Sequence, residues 1–253
     1  MNELQIAFNS NTGYLTHNYH PYPCKFVPQI PHQIISQFSQ EGDTVLDPFV
    51  GSGTTLTEAS LLNRNGIGID LNPVAVLSTK VKTSVLNNND KKLVLEILEK
   101  IQFKNIKNYK NFIKEKFNEK NIPKWDNINH WFLPFVITEL SALKNLIDNT
   151  DNIKVRNFLL LGFSNVIISI SNQDSETRYV AVTKQTKKMD LFSLFSKKII
   201  SMLKRNDEYA LQRSSSKIKV YHDDARKMNK VKNKSVNLIL TSPPYLTTFD
   251  YYL

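Results

Sequence analysis

Short blocks of aliphatic and β-branched residues alternate along this chain with longer stretches whose apolar positions recur every three or four residues. Four blocks read as strands: DTVLDPF (43–49), GIGID (66–70), KIKVYHD (217–223) and VNLILTS (236–242). Each is bounded by turn formers. Their continuous apolar character predicts burial on both faces, as in a parallel sheet. Helical patterns follow the first two blocks: TTLTEASLLNR after the first, and NPVAVLSTKVKTSVL after the second, with Pro73 suited to a first turn. Strand, helix, strand, helix predicts an α/β protein with a Rossmann-like, doubly wound, mostly parallel sheet.

The stretch between the second and third strands, residues 87–216, is far too long for a crossover. Leu93, Ile97 and Ile101 keep helical spacing, as do Phe132, Phe135, Val136, Leu140, Leu143 and Ile147. DLFSLFSKKIISMLKR opens on Asp190, a candidate N-cap, and ends basic, as the helix dipole favours. The expected division is therefore residues 1–86, a mainly helical insertion 87–216, and residues 217–253. The most apolar segment, NFLLLGFSNVIISIS (157–171), is interrupted by Asn157, Ser164 and Asn165 and is short for a span. A buried helix is expected, with no membrane crossing.

The chain has 253 residues, 41% of them hydrophobic, and a formal net charge of +10 at pH 7. That size and apolar fraction support one large domain with an insertion. The charge favours a polyanionic partner, nucleic acid ahead of an acidic membrane surface. Cys24 is the sole cysteine, which excludes an internal disulfide and fits a reducing, cytoplasmic setting. The start, MNELQIAFNSNTGY, lacks a basic region followed by an apolar run, so no signal peptide is expected.

The first chemical motif is VLDPFVGSGTTLTEA, a glycine-rich turn between a strand and a helix. Gly51 and Gly53 allow the backbone to pass close under a ligand, while Ser52, Thr54 and Thr55 offer hydroxyl and N–H groups. Asp70, at the end of the second strand, is placed to accept the hydroxyls of an adenosine ribose. A dinucleotide fingerprint would need a third glycine where Leu56 stands, so a nicotinamide cofactor is disfavoured. Asp47, ahead of the turn, suits a ligand with a cationic amino group, such as the methionine part of S-adenosylmethionine. Asp223 and Asp224 end the third strand, where the adenine amine is expected. Asp224 is the favoured contact, the alternative being a solvated helix-capping turn.

The second motif is TSPPY at the end of the fourth strand. Pro243 and Pro244 donate no backbone hydrogen bonds, which leaves carbonyls free to accept. Ser242 adds a hydroxyl and Tyr245 an aromatic face. That set suits an exocyclic amine on a flat base. Acceptors that draw its hydrogens out of plane restore lone-pair density on nitrogen, and the tyrosine stacks on a base extruded from its helix. A basic tract from Lys100 to Lys124 holds eight lysines against Glu115 and Glu119, with Tyr109, Phe112, Phe117 and Trp125 interleaved. Arg178, Lys184, Lys187 and Lys188 form a second candidate patch. Either is a phosphate-contacting surface or a solvated helix face.

Taken together, DPFVGSGTTLTEA, GIGIDLNPVA and TSPPY resemble the cofactor, ribose-binding and catalytic motifs of the DNA methyltransferases that act on cytosine N4 or adenine N6. The resemblance covers roughly residues 17–85 and 217–253. It implies S-adenosylmethionine as cofactor, double-stranded DNA as substrate and a restriction-modification setting with a cognate endonuclease. It adds Pro48, Phe49 and Asn72 to the cofactor residues. HPYPCKFVPQIPHQII (20–35) is similar to the segment that closes over the methionine end, with Lys25 a candidate for the carboxylate. SNQDSETRY (171–179) resembles a segment of some relatives. Serine before the prolines leans toward cytosine N4. The family continues with further strands beyond TSPPY, so the resemblance implies an N-terminal portion needing a complementing polypeptide or a second copy. Two alternatives stay open: a cofactor-binding subunit without turnover, and an RNA methyltransferase acting on guanine N2.

Overall fold

The computed structural model describes residues 10–175 and 178–243. In chain order its elements are α1 (Gln29–Phe38), β1 (Thr44–Asp47), α2 (Thr54–Leu61), β2 (Asn65–Asp70), α3 (Pro73–Lys82), α4 (Asn88–Glu99), α5 (Ile106–Lys116), α6 (Ile128–Trp131), α7 (Pro134–Asp148), α8 (Ile153–Ile170), β3 (Gln173–Ser175), β4 (Arg178–Ala181), α9 (Asp190–Gln212), β5 (Ile218–His222) and β6 (Leu238–Ile239). Two compact units divide the chain: residues 1–85 with 204–253, and residues 86–203. Sequence patterning put the second boundary at 216. The structure puts it inside α9, because that one continuous helix contributes to both units.

The first unit is built on a parallel sheet of order β5-β2-β1-β6. Register runs from Thr44↔Asn65 to Asp47↔Gly68 between β1 and β2, and from Gly66↔Ile218 to Asp70↔His222 between β2 and β5. β6 pairs with β1 at Val45↔Leu238 and Leu46↔Ile239. The α/β, Rossmann-like reading of the sequence is the observed architecture. α2 packs on β1 and β2, and α3 packs on β2 and β5. Ile35 of α1, Val45 of β1 and Ala59 of α2 form a fully buried cluster that Leu238 and Leu240 join.

Burial differs from expectation in the two outer strands. β5 has no fully buried residue and Ile239 of β6 is 63% exposed. Apolar content in the sequence does not report how many elements lie over a strand. Among the described residues, β5 and β6 each pair with one neighbour only.

Glycine sets the depth of α2. A Cβ on Gly66 would come within 2.9 Å of Leu56, and one on Gly68 within 2.7 Å of Leu56 and 2.8 Å of Val50. Leu56 of α2 thus rests directly on the β2 backbone, which brings the preceding loop down to the sheet edge.

The second unit is mainly helical, and asparagine organises it. Asn87 caps α4 in a reciprocal box with Asp90, Asn105 caps α5, and Asn152 accepts from the Lys154 and Val155 amides to cap α8. Such caps each contribute about 0.5–2 kcal/mol. Phe103, Tyr109 and Phe112 pack around Phe192, with Phe103 and Phe192 edge-to-face at 5.0 Å. Tyr109 and Phe112 are therefore core residues and not part of an exposed aromatic ladder. The apolar stretch at 157–171 lies in α8, which has the length and composition to cross a membrane. Here it packs against α4 and α7 with Phe158, Leu159 and Leu161 buried. The antiparallel pair β3–β4 was not expected, since its strands lack apolar alternation.

Gly68→Ala should lower stability by about 1–3 kcal/mol by overpacking against Leu56 and Val50. The check is urea unfolding, with the midpoint falling and the slope unchanged.

Candidate active site

Because every strand of the sheet runs the same way, the ends of β1, β2 and β5 and the residues after β6 meet at one edge. The chain leaves β1 for β2 on one side and reaches β6 on the other. Parallel sheets open a crevice at such a reversal. A cavity of about 330 Å³ lies there, within the roughly 300–1,000 Å³ typical of small-molecule sites. Asp47, Pro48, Phe49, Gly51, Thr54 and Thr55 line it from β1 and its loop, and Asp70 and Asn72 from the end of β2. Asp223 and Asp224 line it after β5, Ser242 and Pro243 after β6, and residues 22–26, including Lys25, from the N-terminal segment. Of the sequence-predicted site residues, Gly53 stands apart from this wall. Pro244 and Tyr245 lie outside the described residues.

Gly51 and Gly53 both take positive φ, +46° and +84°. They do so for different reasons. A Cβ on Gly51 would sit 3.3 Å from the Tyr22 ring, across the cavity wall. A Cβ on Gly53 would meet Thr79 at 2.7–3.0 Å, so Gly53 serves the packing of the loop on α3. α3 also holds the loop by its carbonyls. Thr79 donates to Gly51 O at 3.4 Å, Ser78 to Ser52 O at 3.5 Å, and the fully buried Lys82 to Ser52 O at 2.8 Å. With the Gly51 carbonyl turned toward α3, the trans peptide turns the Ser52 N–H away from it. Ser78, Thr79 and Lys82 were missed in the sequence. The available signal was a polar stripe of helical spacing on an otherwise apolar helix.

Asp70 accepts the Gly51 amide on one oxygen and the Asn72 amide on the other, each at 2.8 Å. Its carboxylate is thereby fixed in orientation, and each oxygen keeps a lone pair for another donor. Asn72 has a local duty: its side chain accepts from Val74 N and caps α3. Asp224 is clamped by the forked Arg226 side chain, with Nη2 to Oδ2 at 2.6 Å, and those hydrogen bonds hold its pKa at about 2. Asp223 carries a lighter load, accepting the Asp224 amide on Oδ1 at 2.8 Å.

Asp47 is 2% exposed. Burial pushes its pKa up to about 6, against hydrogen bonds from Thr241 Oγ1 at 2.7 Å and the Phe49 amide at 3.1 Å. The Thr241 bond ties the residue before Ser242 directly to the loop after β1. Among the described residues no cation pairs with Asp47. A buried carboxylate that resists ionisation in a cavity is completed by a cationic ligand. With Asp70 nearby, whose oxygens each keep a lone pair for a further donor, the wall is chemically suited to a ligand that carries hydroxyls and a cationic amino group.

Residues 5–81 match the sequence model of a family described as DNA methylase. Over 180 residues the chain is 32% identical to the Type II methyltransferase M.MvaI of Kocuria varians, covering 68% of this chain and 38% of that protein. It is 23% identical to the Type II methyltransferase M.MjaII of Methanocaldococcus jannaschii, covering 93% of this chain and 60% of that protein. A tRNA (guanine(10)-N2)-dimethyltransferase of M. jannaschii is 31% identical over 48% of this chain and 31% of its own length. The chain thus spans less than two thirds of each of these relatives.

The raised Asp47 pKa has a signed consequence. The folded protein holds this proton more tightly than the unfolded chain does, so the protonated form favours folding at low pH. That contribution declines as the pH rises from about 4 to about 6. Asp47→Asn should remove it. The difference in unfolding free energy between variant and wild type, measured in urea across this range, should grow toward about 3 kcal/mol at pH 7.

Proposed function

We propose that this chain is a member of the DNA methylase family whose model residues 5–81 match, and is the cofactor- and amine-binding portion of a site-specific DNA methyltransferase. It transfers a methyl group from S-adenosylmethionine to an exocyclic base amine, cytosine N4 in preference to adenine N6. The observation that carries this reading is that Ser242 and Pro243 line the same cavity as Asp47, Gly51 and Asp70.

S-adenosylmethionine, when bound, supplies an electrophilic methyl group on a sulfonium. In this reading Asp70 accepts the ribose hydroxyls, Asp47 pairs with the ammonium of the methionine part, and Lys25 pairs with its carboxylate. Asp224 is already engaged by Arg226, so Asp223 is the freer acceptor for the adenine amine. The Ser242 hydroxyl and a carbonyl of the proline pair accept the hydrogens of the target amine. That removes the nitrogen lone pair from conjugation with the ring and aims it at the donor carbon. Tyr245 stacks on the extruded base.

The mostly exposed lysines of α5 and the segment after it supply phosphate contacts, and the exposed Phe117 and Trp125 stand among them. The second basic patch is weaker than its composition suggests. Lys184 donates to Ile168 O at 3.0 Å and Arg178 pairs with Asp174 at 3.2 Å. In this reading a complementing polypeptide or a second copy supplies the remaining walls of the base pocket, and the enzyme protects DNA beside a cognate restriction endonuclease. The likeness to a tRNA guanine-N2 enzyme keeps RNA as the second substrate class.

Tritiated methyl transfer to duplex DNA and to tRNA, with and without a complementing polypeptide, tests the reading. The expected product in digested DNA is N4-methylcytosine. Ser242→Ala should slow transfer by roughly two orders of magnitude or more, and Asp70→Ala should weaken S-adenosylhomocysteine binding at least tenfold. N6-methyladenine would reverse the choice of base, and label in tRNA the choice of nucleic acid. Cofactor binding without transfer to either would leave a non-catalytic subunit.

A further inference from the structure

Around α2 lies a buried polar cluster that the reading above does not use. Glu58, on α2, is fully buried. Its Oε1 accepts from the Tyr14 hydroxyl at 2.6 Å and from His17 Nε2 at 2.6 Å, and its Oε2 from His32 Nδ1 at 2.7 Å. Tyr14 and His17 precede the cavity-lining residues 22–26, and His32, on α1, follows them. Both ends of this excursion are therefore tied to one carboxylate. Residues 19–28 have no helix or strand of their own, and Cys24 sits at φ +52°. Sheet and helix ladders thus do not locate this wall.

We propose that Glu58 is a positioning residue: by holding Tyr14, His17 and His32 together, it sets where residues 22–26 stand over the cavity and so governs cofactor affinity. This rests on the cofactor reading above. The protonation states agree with a clasp. Burial pushes His17 down, so its neutral ring donates from Nε2, and its Nδ1 is left without a hydrogen-bond partner. The hydrogen bond to Glu58 holds half-exposed His32 above its ordinary value of 6.5. Burial alone would raise Glu58, but hydrogen bonds from His17, His32 and Tyr14 more than offset this and keep it ionised. The other charged or titratable groups facing the cluster are Lys25, Lys82 of α3 and Tyr209 of α9. The ionic His32–Glu58 contact is complete below pH 6.5 and is lost as the pH rises through the elevated His32 value.

The test compares the full chain with Glu58→Gln and His32→Ala. Readouts are hydrogen exchange of residues 19–28, exchange of β1 and β2, and calorimetric titration with S-adenosylhomocysteine. Exchange in 19–28 should quicken while the strands stay protected, and affinity should fall at least fivefold. A spin label on Cys24 should gain mobility as the pH rises above 6.5 in wild type but not in His32→Ala. If Glu58→Gln fails to fold, His32→Ala decides alone, since a half-exposed ring is removable. Unchanged exchange in 19–28, or a rise spread evenly through the strands, overturns the proposal. A wild-type chain that does not bind S-adenosylhomocysteine sinks the cofactor reading. The clasp is then judged by exchange and label mobility, where no change overturns it.

Discussion

The structure depends on β1 being paired in parallel on both sides, with β2 at one edge and β6 at the other. Parallel pairing sends every chain end the same way, so residues far apart in sequence arrive at one rim. Asp47 ends β1, Asp70 ends β2, Asp223 follows β5 and Ser242 follows β6. The reversal of direction about β1 leaves a gap between the departing loops, and the cavity occupies it. The contact between Thr241 and Asp47 links both sides of that gap through a single hydroxyl.

Around this frame, three buried ionisable groups do separate work. Lys82 holds the Ser52 carbonyl and so fastens the glycine loop to α3. Glu58 gathers two histidines and a tyrosine, which secures a segment lacking regular structure. Asp47 has only neutral donors and is pushed toward protonation. The first two are satisfied from within the fold. The third is in a cavity wall and gains from a positively charged ligand. That difference separates groups that maintain the site from one that awaits a partner.

The helical unit shows how composition becomes structure. The frequent asparagines of this chain had no assigned role in the pattern of apolar positions. In the fold Asn87, Asn105 and Asn152 satisfy helix-start amides, and Asn152 also donates to Asp90, so α8 is tied to the α4 capping box. The lysine-rich stretch divides in a similar way. Tyr109 and Phe112 turn into the aromatic core while the lysines of α5 face outward.

The amino-acid sequence by itself determined the four strands, their parallel sense, the glycine turn and the acids at strand ends. Each of these is local: apolar runs, turn residues and spacing are written within a few neighbours. Tertiary structure alone decided which acid is already occupied, since the clamp of Arg226 on Asp224 is a matter of side-chain reach. It decided that Gly53 answers to Thr79 and Gly51 to the cavity wall, because one-dimensional spacing carries no information about what stands opposite a missing Cβ. It also joined Tyr14, His17, His32 and Glu58. Those four residues lie on three segments, and only packing α1 and the N-terminal segment against α2 brings their polar atoms to hydrogen-bonding distance.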